Sequence, residues 1–413
     1  MSGKFRAAAG LAVTAVALCT AACAGPASSA TSTSASAPAD GTAPVSNGAA
    51  QVKLTLTNDG GDKCTVDYGS AAAGPVTFTV ENISSSAITE VELQSELKIL
   101  GEKENLAPGL PTTSFTVTLD GGEYSLYCLG ATPESQIFTV TGQAAAAPSG
   151  STSSLLTQGA KDYAPWVAAQ AAEMKTAVAN LKAAVESGDI EKAKAAYVNA
   201  RPFYEKIESD VEGFVMPGYK VDDNAGSLDY LIDMRASNLD EKVGWSGFHA
   251  VERDLWKTGR ISDATRKYAT ELDTNLGKLV AVVNDLSYRP EDLANGAAAL
   301  LEEVQSNKIT GEEEAYSHID LVDFAANLEA ARQALAYLQP GLEKIDPELV
   351  KEVVTQFSNV DAALSTLRDE TAPGGYIAWT AVNRAKYAKD LSQAVLALQQ
   401  PMQKIAEKVS TAQ

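Results

Sequence analysis

The hydrophobic period changes once along this chain, and that change constrains the fold more than any other feature. Between Gln51 and Gly142 the period is two: Val52, Leu54 and Leu56 alternate with polar residues, as do Val76, Phe78 and Val80. Phe115, Val117 and Leu119 do the same, turn at Asp120-Gly121-Gly122, and return through Tyr124, Leu126 and Cys128. Short strands punctuated by Gly, Pro and Asn predict a β-sandwich over residues 51–142. After the Ala/Pro/Gly/Ser hinge 143–153 the period becomes 3.6 and stays there. Helices are expected at about 157–187, 190–212, 246–257, 261–286, 291–307, 318–338, 347–368 and 376–410. The fold class is therefore multidomain β plus α: a sandwich, then an all-α up-and-down bundle over residues 154–413. Residues 213–227 and 306–317 interrupt the helical pattern, and loops of that length inside a bundle tend to be functional.

Residues 1–22 read as an export signal. Lys4 and Arg6 precede an apolar run, Ala7 to Leu18, that is too short for a permanent membrane helix. Small residues then lead to Cys23, as at a lipoprotein processing site, although Thr20 departs from the usual aliphatic residue and keeps simple secretion open. Residues 23–50 are rich in Ala, Ser, Thr, Pro and Gly and are expected to be a flexible tether.

Charge narrows the partners. With 53 Asp and Glu against 33 Lys and Arg, the chain carries −20, which disfavours nucleic acid and anionic membranes and suits metal cations. The same sign disfavours polyanionic polysaccharides. Only two histidines are present, which removes most His-rich metal enzymes. The β-region has neither His nor Met, so it cannot build a blue-copper centre of two imidazoles, a thiolate and a thioether. It does hold Cys64 and Cys128, with Glu90, Glu92, Glu102 and Glu104 between them. Two readings stay open there: a disulfide, or a thiolate/carboxylate site in which Cys64, Cys128 and Glu90 bind copper or another transition metal.

In the helical part, His249 and Glu252 are three residues apart and project from one helix face. Glu205 and Glu208 repeat that spacing on the preceding helix, in a stripe with Tyr197 and Arg201. If the two pairs face each other, one nitrogen and three carboxylates converge, a donor set suited to iron. The bland alternatives are a core histidine paired to a glutamate, and Arg201 neutralising Glu205. His318, Asp320 and Asp323, which follow Glu312, Glu313 and Glu314, read first as a helix N-terminus. No His-Glu-x-x-His, Walker loop or dinucleotide fingerprint occurs.

Four strings carry a family resemblance: Glu102 to Gly109 (EKENLAPG), Gly122 to Cys128 (GEYSLYC), Gly247 to Glu252 (GFHAVE) and Lys308 to His318 (KITGEEEAYSH). With them the chain, over about residues 51–410, resembles the EfeO family, exported iron-uptake components that join a cupredoxin-like domain to an imelysin-like helical domain. The resemblance implies a periplasmic or cell-surface iron-binding protein that passes iron to a membrane permease, with a haem peroxidase as second partner. It implies a metal site at His249, Glu252, Glu205, Glu208 and Asp222. It implies a second site of copper or iron at Cys64, Glu90 and Cys128, with Glu102 and Glu104 beside it, and an oxidation step there. The alternative that the family label carries is a metallopeptidase of imelysin type.

Overall fold

The computed structural model describes residues 39–95, 98–144, 150–221 and 223–412. The export signal, Cys23 and Asp222 lie outside the described residues.

Eleven strands fill residues 39–141 and form two sheets. The first orders β1 (Ala39–Thr42), β5 (Tyr68–Ala72), β11 (Ser135–Thr141), β10 (Gly122–Tyr127), β7 (Val91–Ser95) and β8 (Lys98–Lys103). The second orders β2 (Val45–Ser46), β3 (Ala49–Thr57), β6 (Gly74–Asn82) and β9 (Thr113–Leu119), with β4 (Lys63–Val66) paired to β3. Inward residues of both sheets share one core, and Phe78 of β6 meets Phe138 of β11 edge to face at 5.2 Å. Part of the expected tether is corrected. Residues 39–42 pair in parallel with β5, and 45–46 pair with the start of β3, so the described end of that segment belongs to the sandwich.

The rest is helical. The long α1 (Ser151–Ser187) buries Leu156, Ala160, Tyr163, Val167, Ala171, Met174, Val178, Leu181 and Val185, a stripe with steps of three and four. It ends at Gly188, whose left-handed φ of 76° lets its N–H reach Val185 O. Asp189 then accepts from Lys192 N at 3.1 Å and starts α2 (Ile190–Glu205). The expected helix 190–212 is not continuous. Ile207 N turns back to Tyr204 O at 2.8 Å, and a separate short α3 (Glu208–Val211) follows. Next come α4 (Leu228–Asp233), α5 (Gly247–Glu252), α6 (Asp263–Val283), α7 (Pro290–Glu303), α8 (Asp320–Ile345), α9 (Pro347–Ser365), α10 (Ala381–Met402) and α11 (Ile405–Ser410). Two of these run on into π-helical turns, Arg253–Thr258 after α5 and Val304–Lys308 after α7. Among the described residues no helix is long and apolar enough to cross a membrane.

The β-region and the helices touch through polar groups. Lys103 Nζ, 1% exposed, meets Glu302 at 2.8 Å, and Asn295 Nδ2 donates to Thr116 O at 2.6 Å.

Candidate metal centre

The site starts from a glycine. Gly247 opens α5 with φ +69°, and a Cβ there would stand 2.0 Å from Ile232 O. Only glycine permits that approach, which sets α5 against the end of α4. His249 of α5 and Asp233, the last residue of α4, are thereby brought to 3.5 Å (Nε2 to Oδ1). Glu252, one turn on, uses Oε1 to accept Tyr316 N at 2.8 Å and Ser317 N at 2.6 Å. That clamp draws in the loop between α7 and α8, and with it Glu313 and Glu314. Trp379 also holds this loop, donating Nε1 to Ile309 O at 3.1 Å.

His249 is 1% exposed and carboxylates flank both ring nitrogens. Nδ1 lies 3.3 Å from Glu252 Oε2, 3.4 Å from the Tyr197 hydroxyl and 4.0 Å from Glu314 Oε1. Nε2 lies 3.3 Å from Glu313 Oε1 and 3.5 Å from Asp233 Oδ1. It has no hydrogen-bond partner among the described residues. Two triads thus share one imidazole, Asp233/His249/Glu313 and His249/Glu252/Glu314, each with its ligand atoms within 4.8 Å of one another.

Arg201, on the buried face of α2, runs alongside. Its guanidinium contacts Asp233, Glu205, Glu313, Glu314 and Asp323. The protonation pattern follows from burial set against these charges. Burial pushes Asp233 up to about 7, against Arg201 and His249. Burial and neighbouring Glu252 push Glu314 up to about 8. Burial also acts on Glu313, but Lys308, Arg235 and His249 outweigh it and hold that carboxyl well below its ordinary value. For His249, burial favours the neutral ring, yet Asp233 and the close carboxylates of Glu252 and Glu313 prevail and raise it well above the usual imidazole range. The metal-free pocket therefore holds protons that an incoming cation would displace.

The structure sorts the expected ligands. His249 and Glu252 stand at the centre. Glu205 and Glu208 do not join them. Glu205 is bonded to Arg201 and lies 3.2 Å from Lys308 Nζ, and Glu208 lies 3.3 Å from the same ammonium. The break at Lys206–Ile207 puts the two acids in different helices, and both turn to Lys308 instead of His249. Asp233, Glu313 and Glu314 take those places. Asp233 carried one signal in the sequence, an acid inside the apolar run Leu231-Ile232-Asp233-Met234. Asp320 and Asp323 do lie in the first turn of α8, but both are fully buried, and Asp320 Oδ1 accepts Glu314 N at 3.1 Å.

In the β-region Cys64 and Cys128 are joined in a disulfide. The thiolate site expected there is corrected: the sulfurs are bonded to each other and offer no ligand to copper. Glu90, Glu92 and Glu102 do converge, with ligand atoms within 4.8 Å. Burial and Glu92 push Glu102 up to about 8, and burial, Glu92 and Glu102 raise Glu90 well above the carboxylate range. Glu104 is raised too, by burial and Glu303, with which it shares a hydrogen bond. Through that bond the two acidic groups become neighbours.

Comparison with known proteins agrees with this architecture. The Imelysin family model matches residues 159–405. An iron uptake system component EfeO from Escherichia coli is 33% identical over 355 residues, 83% of this chain and 90% of the relative. Homologues of the same name from Shigella flexneri and Shigella boydii are 34% identical over 323 residues, 77% of this chain and 81% of each relative. The chain belongs to the EfeO family, with an imelysin domain as its helical part.

Proposed function

We propose that this protein is the exported iron-binding component of a bacterial iron uptake system. It holds iron at His249 Nε2, Asp233 and Glu313, then passes it to a membrane permease, with a haem peroxidase as the further partner. Export and a lipid anchor at Cys23 rest on the first 23 residues, and periplasmic or cell-surface placement on the family. The observation that carries the reading is the imidazole nitrogen without a hydrogen-bond partner between two carboxylates. Glu252 sits on the other nitrogen, where a carboxylate fixes the tautomer and, once the incoming cation has displaced the Nε2 proton, aims that lone pair at the ion. One nitrogen with hard oxygens suits ferrous or ferric iron. At 1% exposure His249 suits a bare ion and not a peptide substrate.

Anaerobic calorimetric titration with ferrous iron tests this. The unmutated protein should take one ion per chain, and His249→Ala or Asp233→Asn should weaken binding by ~100-fold or more. Undiminished binding in both variants would remove the pocket from the mechanism.

A further inference from the structure

The carboxylates that miss His249 have an occupant of their own. Lys308 is 0% exposed, and its Nζ lies 3.2 Å from Glu205 Oε2, 3.3 Å from Glu208 Oε2, 3.2 Å from Glu303 Oε2 and 3.2 Å from Glu313 Oε2. The four acids come from α2, α3, α7 and the loop before α8, so the cage closes only in the folded chain. A local device puts the lysine there. In an α-helix, residues five apart point to different faces. The π turn 304–308, closed by Ile309 N to Val304 O at 2.9 Å, widens the coil and lines Lys308 up with Glu303.

An ammonium is a compact point charge with three donors, the protein group closest in kind to a bound metal cation. Burial alone would lower Lys308, but Glu205, Glu208, Glu313 and Glu303 outweigh it and hold the group above its ordinary value. Glu313 is the wall between cage and pocket, with Oε1 facing His249 and Oε2 facing Lys308.

We propose that Lys308 is a resident counter-cation: it fills the point where these four carboxylates converge, excludes metal from it, and so confines the protein to one ion at His249. The inference rests on the proposed iron site for the word "one", while the cage itself does not depend on that site. Removal of the ammonium leaves four buried carboxylates facing a common point, which is a site for a hard divalent cation.

Manganese(II) alone is the probe, counted by equilibrium dialysis and elemental analysis. Unmutated protein should take one ion and Lys308→Met two, with a melting temperature that rises on manganese addition more than in the unmutated chain. The double variant His249→Ala/Lys308→Met should take one. A folded Lys308→Met chain that takes one ion, or a double variant that takes none, overturns the inference. His249→Ala alone that keeps its ion would instead count against the proposed iron site. The unmutated protein gives an independent readout in nitrogen-15 NMR of labelled lysine. Two buried ammoniums, Lys103 and Lys308, should exchange slowly. The Lys308 signal, assigned by its absence from Lys308→Met, should persist at saturating zinc, a diamagnetic probe, and its loss on zinc addition would overturn the proposal.

Discussion

Two carboxylate groups meet at the Glu104–Glu303 hydrogen bond, and they differ in what neutralises them. On the β-side, Glu90, Glu92, Glu102 and Glu104 gather with little basic help, since the nearby Lys103 is engaged with Glu302. Protons relieve the charge on three of them: Glu90 and Glu104 rise well above the usual range and Glu102 reaches about 8. On the helical side, Arg201, Arg235 and Lys308 are built in. Burial also acts on Glu303, yet Lys308 and Arg235 bring it down to about 2. Fixed cations hold Glu303 and Glu313 ionised and in place, while Asp233 and Glu314 beside them still rise to about 7 and about 8, and an imidazole adds the one nitrogen. Acid content alone does not distinguish the two groups. The resident cations and the histidine do.

The comparison can be broken first at Arg201. Arg201→Met leaves Asp233, Glu205, Glu313, Glu314 and Asp323 without their shared guanidinium. Loss of one partner from a buried ionic network should cost about 3–5 kcal/mol, read from urea unfolding, against under ~1 kcal/mol for Glu102→Gln. Equal losses would mean that the fixed cations do not set the helical group apart.

Glu252→Gln sharpens it next. If Glu252 orients His249 and does not bind iron itself, the variant should lose about 10- to 100-fold in iron affinity, while Glu102→Gln should change it less than about threefold. A β-side loss as large as the helical one would move the ion.

The smallest effect is in pH. Asp233 near 7 and Glu314 near 8 stand above their unfolded values, so between about pH 4.5 and 8 the native state binds more protons than the unfolded one. Stability contributed by these groups is full at the acid end and falls as pH rises through 7 to 8. Bound cation takes over from those protons. The decline in melting temperature over that window should therefore flatten in iron-loaded protein, and iron binding should release protons. Parallel pH profiles with and without iron would contradict this.

The fold class was legible because hydrophobic period is a local signal, and steps of three and four along α1 match its buried stripe. His249 and Glu252 were legible for another reason: in a chain with two histidines, His-x-x-Glu on a helix stands out. The rest depends on contacts between residues distant in sequence. Nothing near Glu205 announces that the helix closes there and that Glu205 and Glu208 both turn to Lys308 instead of His249. The acids 312–314 have no period, and they reach the site because Glu252 captures the backbone of Tyr316 and Ser317, 64 and 65 residues away. Lys308 depends on a π turn, and such a turn leaves no hydrophobic pattern.

The most direct test is the anomalous scattering of iron in crystals of the full chain soaked with the metal, because it locates the ion without assuming ligands. A single peak bonded to His249 Nε2, Asp233 and Glu313, with Lys308 still in its carboxylate cage, is the predicted map. A principal peak among Glu90, Glu92 and Glu102, or on the Nδ1 side of an imidazole that has released Glu252, would contradict it.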